Sequence, residues 1–398
     1  MSTPPAAPSP SPSPQGPVSG SVWRVPGMPL LVAMTVLAFS GYAALLPVAP
    51  LWAVHGGAGS VGAGLVNGVL MLVTVLTQLV VPTALRRLGW GPVLAAGMLL
   101  LGLPSATLGL SDGLLPVLAV SAVRGIGFGV VTVTGSALVA ELVAPARRGA
   151  AIGAYGLAIA GPQVLLLSAG PWIVEQLGYG LVFALGVLPA LGAVPAVLLA
   201  RRLEHVPEAT GRVPYLRLLR PMALLLAVTL AGGALITFMA QMSSSAALST
   251  VALLLLTVAA AVARWRVGAL ADRFGPRPFL GPLVLLTGAG MAMIAWAVRD
   301  PQATAVVPLL LGAAVVGISY GGLQNLTLVL SFRTVSRPHY GSASAVWNIG
   351  FDAGTGLGAV VVGMVAAWSS FTTALLVAGA VSLLTLPLAL LRRGTGEG

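Results

Sequence analysis

Apolar residues along the chain come in long blocks rather than in alternation. Twelve stretches rich in Leu, Val, Ala and Gly recur between Met28 and Leu391, and nearly all the charge falls in the short connections between them. Each block supplies about 20 residues, which at about 1.5 Å rise per residue crosses a hydrocarbon core of about 30 Å. The blocks predict membrane-spanning helices over Met28 to Val54, Val61 to Ala84, Pro92 to Leu110, Leu114 to Val143, Ala150 to Val174 and Leu181 to Ala200. A second set is predicted over Met222 to Met242, Ala246 to Ala271, Phe279 to Val298, Ala303 to Phe332, Ser342 to Trp368 and Thr372 to Leu391.

The two sets are nearly equal in length, and the fourth member of each is the longest, which points to an internal duplication. The expected architecture is an all-α membrane protein whose twelve transmembrane helices form two six-helix bundles related by a pseudo-two-fold axis. The domains are then an amino-terminal bundle over residues 27–200, a central loop over 201–221 and a carboxy-terminal bundle over 222–391. Residues 1–26 hold eight prolines and six serines without a periodic apolar face, the composition of a disordered tail. Residues 392–398 form a short second tail.

Arginine placement orients the chain. With a cytoplasmic amino terminus, 16 of the 20 arginines fall on the inner side, five of them in the central loop, whereas Asp112, Glu175 and Asp300 fall outside. The positive-inside rule therefore puts both termini in the cytoplasm of a multi-pass cell-membrane protein. The net charge of +11 resides at helix ends, where anionic headgroups meet it, so a nucleic-acid partner is not expected. Only 7% of residues are charged, against about 25% in a soluble domain. With no cysteine there is no thiolate nucleophile or thiolate metal site. His55, His205 and His339 lie in loops or helix ends without ligand spacing, so no metal or cofactor is expected, and the histidines read as solvated.

Few polar groups remain at membrane depth. Tyr42, Arg124, Tyr320 and Asp352 fall near mid-membrane by distance from their helix ends, and Asp352 is the only carboxylate so deep. Phe238 and Gln241 on the seventh helix, with Gln324 and Asn325 on the tenth, lie above and below that level. A charged group at the bilayer centre costs about 2.5–3.5 kcal/mol on insertion scales, so Arg124 is expected to face a polar interior with a partner. Ser and Thr elsewhere are expected to bond their own helix backbone.

Four runs carry a family resemblance. Gly268-Ala269-Leu270-Ala271-Asp272-Arg273-Phe274-Gly275-Pro276-Arg277, after the eighth helix, resembles the G-x-L-a-D-R-x-G-x-R loop signature of the major facilitator superfamily. Its first-half counterpart, Pro82 to Gly91, keeps a basic turn and Gly89 but has Arg86 in place of the acid. Arg124-Gly125-Ile126-Gly127 resembles the R-G-x-G signature of the fourth helix, where Gly-x-Gly also signals close packing. Gly153, Gly156, Gly161 and Pro162 partly match an antiporter signature of the fifth helix, and a kink with tight packing explains the same residues. Phe351-Asp352-Ala353-Gly354-Thr355-Gly356-Leu357-Gly358 is similar to runs in sugar-efflux-like or drug-efflux-like members.

The resemblance implies a secondary transporter that moves a small organic solute by alternating access, in which helices 1, 4, 7 and 10 line a central cavity. On that basis Tyr42, Arg124, Phe238, Gln241, Tyr320, Gln324 and Asn325 are candidate substrate contacts, with Asp352 the candidate proton-coupling group. Glu141, Arg264, Gly268, Asp272, Arg273, Gly275 and Arg277 are candidate gating residues, with Glu141 expected to pair with the Arg273 or Arg277 region. Proton-coupled export by a monomeric antiporter is the leading expectation, with a sugar or metabolite uniporter or importer as the near alternative. A membrane enzyme lacks a catalytic constellation here, and a non-transporting sensor leaves the buried Arg and Asp unexplained.

Overall fold

The structure, a computed structural model, describes residues 24–143, 148–203, 215–300, 303–335 and 340–391. The expected amino-terminal tail up to residue 23, the carboxy-terminal tail and the middle of the central loop fall outside these residues, as do the side chains of Arg148 and Asp272.

Among the described residues, twelve helices are long and apolar enough to cross a membrane. In the first half they are α1 (Met28–His55), α2 (Ser60–Leu88), α3 (Trp90–Leu110) and α4 (Leu114–Leu142), followed by α5 and then α6 (Tyr179–Ala200). The fifth, α5, runs through Arg148–Pro162, Gln163–Leu167 and Ser168–Leu177. The second half comprises α7 (Tyr215–Met242), α8 (Ala246–Phe274), α9 (Arg277–Ala297), α10 (Val306–Arg333), α11 (Tyr340–Trp368) and α12 (Phe371–Leu390). Helix α7 starts seven residues before the expected Met222, with Pro221 inside it. Helix α2 likewise runs past Ala84 to place Arg86 and Arg87 in its last turn, where cations suit the negative end of the helix dipole.

The duplication is visible in the turns. Gly89 between α2 and α3 and Gly275 between α8 and α9 adopt φ of 78° and 79°, a left-handed conformation that glycine reaches without strain. The basic turn that lost its acid in the first half has kept its backbone. In α5, Pro162 withdraws one backbone donor, and the helix widens into a π turn over Gln163–Leu167. The tight packing expected around this kink is absent, because space is open beside Gly156 and Gly161.

Glycines bring the two halves together. A Cβ on Gly64 of α2 would stand 2.3 Å from the carbonyl oxygen of Ala359 in α11, and one on Gly363 would stand 2.6 Å from that of Ser60. The two backbones are therefore in direct contact, as small residues allow in membrane helices. The run from Gly354 to Gly358 splits its glycines between two neighbours: Gly354 and Gly358 meet α7, and Gly356 meets Met71 of α2. In α4, Gly125 and Gly129 abut α2, while Gly127 abuts α3.

These contacts close one face of the molecule. The face where α1 begins and α12 ends is here the terminal face, and its opposite the far face. Ser60 donates to the Gly363 carbonyl at 3.0 Å and Asn67 donates to Thr237 Oγ1 at 2.9 Å, both in the far-face third. Ser168 and Thr257 hydroxyls meet at 3.2 Å between α5 and α8. On the terminal side, the Arg148–Pro162 part of α5 makes no more than marginal contact with α8, and the same holds for α4 against α10. Among the described residues, the two halves are shut at the far face and make at most marginal α4–α10 and α5–α8 contact toward the terminal face.

Candidate functional site

On the terminal side of the far-face seal stand the deep polar residues. Gln78 on α2 and Asp352 on α11 lie ten and twelve residues from the terminal ends of their helices, about 15–18 Å below that face. Both are buried. Gln78 Nε2 donates to Asp352 Oδ2 at 2.6 Å and to Thr132 Oγ1 of α4 at 3.0 Å, which leaves Gln78 Oε1 without a partner. The sole deep carboxylate is thus tied to the opposite half by a charge-assisted hydrogen bond.

Arg124 is 1% exposed. Its guanidinium donates to the carbonyl oxygens of Leu101 on α3 at 3.4 Å and Gly41 on α1 at 3.3 Å, long contacts with no formal negative charge. The expected Arg124–Asp352 attraction is not a direct pair in this state. Next to it, Tyr42 stacks on Phe128 with ring centroids 3.8 Å apart, and Phe39 meets both rings edge-on. Tyr42 lies within electrostatic reach of Asp352, Tyr320 and Arg124, which draws all four toward one locus.

The second half completes the wall. Tyr320 of α10 packs against Gly232 of α7, so close that a Cβ there would collide with the ring. It neighbours Phe351, Arg264 and the buried Gln324. Asn325 donates to the Arg264 carbonyl at 3.1 Å and its amide lies against Gly268, so it braces α10 on α8. Gln241 Nε2 and Asn325 Oδ1 are buried without partners. Phe238 sits elsewhere: it is fully buried against Phe371, beside Gly64 and Gly363, in the far-face seal.

Of the gating candidates, Glu141, Arg264, Arg273 and Arg277 are exposed. Among the described residues Glu141 makes no ion pair, so its expected contact with Arg273 or Arg277 is not formed here. The marginal contact between the halves toward the terminal face is the physical reason. Arg273 instead lies over the Phe274 ring at 5.1 Å, and Gly275 provides the left-handed turn. His55 is exposed, as read from sequence, and its Nδ1 lies 2.9 Å from Asp112 Oδ2 while its ring stacks on Trp52.

The family model of the Major Facilitator Superfamily matches residues 31–263 and 221–397, which together take in both halves. The chain belongs to the Major Facilitator Superfamily. It is a transporter of the alternating-access type, embedded in a membrane by its twelve helices, and not an enzyme. Among solved structures, a bacterial homologue of the human lysosomal transporter Spinster, in an inward-facing and unoccupied conformation, superposes with a TM-score of 0.74 at 14% identity, covering 94% of this chain and 97% of that one. A D-xylose-proton symporter gives 0.71 at 13% identity, with 91% and 96% covered. The nucleoside transporter NupG gives 0.67 at 13% identity, with 92% and 98% covered. These likenesses are of fold. Among curated proteins no sequence match is found.

Sequence reasoning passed over Gln78, Thr132, Asn67 and Thr237 as ordinary polar residues of apolar helices. The available signal was depth: Gln78 lies about as far from its helix end as Asp352 does from its own.

Proposed function

We propose that this superfamily member exports a small organic solute from the cytoplasm in exchange for protons, with Asp352 as the proton-carrying group. The observation that carries the reading is the hydrogen bond from Gln78 to Asp352. A buried carboxylate bonded across the interface between the halves changes the strength of that interface whenever it gains a proton. Deprotonated Asp352 accepts from Gln78 Nε2. Protonated, it becomes a donor, for which the unpartnered Gln78 Oε1 is an acceptor after rotation of the amide. Proton binding therefore rewires a contact that helix rearrangement must break or keep.

The terminal face is cytoplasmic in this reading, because the arginine-rich connections lie there. The structure is then the inward-facing state, with solute reaching Tyr42, Arg124, Tyr320, Gln324 and Asn325 from the cytoplasm, and Gln241, beyond Phe238 at the far end of α7, meeting it when the far face opens. Arg124, held only by backbone carbonyls, has capacity left for an anionic or strongly accepting group of the solute. Phe238 acts as part of the far-face plug. The signature loop, with Asp272, Arg273 and Arg277, and Glu141 close the cytoplasmic side when the halves rock together. The carrier works as a monomer without a cofactor in this reading, and a facilitative uniporter or importer of a sugar or metabolite is the alternative that flux separates from export.

The test uses purified protein in liposomes. Solutes that raise its melting temperature are loaded, and an imposed pH gradient should drive their accumulation against concentration, with movement opposite to the proton. Flux indifferent to the gradient would establish a facilitator, and flux in the direction of the proton would establish a symporter.

A further inference from the structure

Helix α1 runs unbroken from Met28 to His55 with Pro47 and Pro50 inside it. Pro50 has no N–H, so the carbonyl of Leu46, four residues earlier, loses its intrahelical donor. Asn67 of α2 replaces that donor: its Nδ2 donates to the Leu46 oxygen at 2.9 Å and, with its second proton, to Thr237 Oγ1 of α7 at 2.9 Å. We propose that Asn67 is the positioning residue of the far-side gate, held by the carbonyl that Pro50 frees so that its second N–H stays aimed across the interface at Thr237.

Donor and acceptor roles are fixed at both ends of the crossing bond. A carbonyl accepts and cannot donate, so the Leu46 oxygen decides which amide atom of Asn67 faces it. Thr237 in turn engages its only hydroxyl proton on the Gly233 carbonyl at 2.8 Å, which leaves its oxygen as an acceptor. Both Asn67 and Thr237 are 2% exposed, so each depends on these protein partners. The Leu46 bond lies within the first half and the Gly233 bond within α7, so rocking of the halves breaks neither. Only the bond between Asn67 and Thr237 crosses. When the far face opens, donor and acceptor keep their orientation, and closing again requires little further ordering of side chains. Ser60, which also donates across this face, has a single hydroxyl proton and therefore no second acceptor to orient it. The device serves alternating access in either direction and stands whether or not Asp352 carries a proton.

Because the chain has no cysteine, Met242→Cys, at a buried position one turn beyond Phe238 on α7, reports opening of the far face through its alkylation rate in the purified protein. Thr237→Val takes away the acceptor while leaving Asn67 bonded to Leu46. It should raise that rate about threefold, and at most about twentyfold, the span of interhelical hydrogen bonds measured in membranes. Asn67→Leu should give the same factor, and the double variant no more than either alone. In a Pro50→Ala background residue 50 regains its N–H and the Leu46 carbonyl its helical partner, so Asn67→Leu should change the rate less than about twofold. A rate unmoved by Thr237→Val would overturn the proposal. So would effects of Asn67→Leu and Thr237→Val that multiply, or a full effect of Asn67→Leu in the Pro50→Ala background. Thr237→Val leaves the first half untouched, so it decides the crossing bond even if Asn67→Leu fails to fold.

Discussion

Gln78 Nε2 donates to Asp352 Oδ2 at 2.6 Å, joining a helix of the first half to a helix of the second. Neither residue has another link of this kind at that depth among the described residues, so the pair sits where side-chain chemistry and rearrangement of the halves meet. Membrane double-mutant cycles average about 0.6 kcal/mol and reach about 1.7 for interhelical hydrogen bonds. A charged acceptor belongs at the upper end of that range. Gln78→Leu and Asp352→Leu should therefore show a coupling of about 1–2 kcal/mol in a stability cycle, and strict additivity would mean that the bond is not made in the membrane.

Arg124 behaves differently. Its contacts to Gly41 and Leu101 are 3.3 and 3.4 Å long and carry no counter-charge, so they repay little of the cost of burying a guanidinium. Arg124→Gln should lose solute binding while keeping, or slightly raising, the melting temperature. Its effect should add to that of Asp352→Asn within about 0.5 kcal/mol. A fall of several degrees with solute binding unchanged would make Arg124 a structural anchor instead.

Gly64 allows two backbones to touch in the far-face seal, since a Cβ there would lie 2.3 Å from the Ala359 carbonyl oxygen. A backbone atom cannot swing aside as a side chain can. Gly64→Val should hold α2 and α11 apart and raise the labelling of single cysteines placed near Phe238 from the far side. Unchanged far-side labelling in a folded Gly64→Val protein would show that the seal closes by other contacts.

Glu141 and Arg277 are both exposed and unpaired with each other in this state. A gate that forms them into a pair must bring the terminal ends of α4 and α9 together. Paired Glu141→Cys and Arg277→Cys substitutions should resist cross-linking in the present state and cross-link under a far-side-open bias such as Gly64→Val. Efficient cross-linking in both conditions would remove these residues from the gate.

The twelve helices were legible because crossing a membrane needs a length and an apolarity that few other structures need. The halves were legible through repetition, and the left-handed glycines Gly89 and Gly275 carry the same repetition into backbone geometry. Asp352 and Arg124 stood out because a buried charge is costly wherever it occurs. What each of them touches was not legible. Gln78 and Asp352 are 274 positions apart, and only the packing of α2 on α11 decides that the amide reaches the carboxylate. Phe238, an apolar ring at a plausible depth, reads the same whether it lines a cavity or plugs one. The pairing of Glu141 depends on conformational state, which one sequence does not encode as a single answer.

The central claim is that Asp352 carries the coupled proton, and gradient-driven flux by Asp352→Asn in liposomes tests it most directly. The asparagine keeps the size of the side chain and an acceptor oxygen for Gln78 but cannot titrate. The account predicts that accumulation driven by a pH gradient disappears while solute exchange and downhill flux persist. Full retention of gradient-driven accumulation would contradict it.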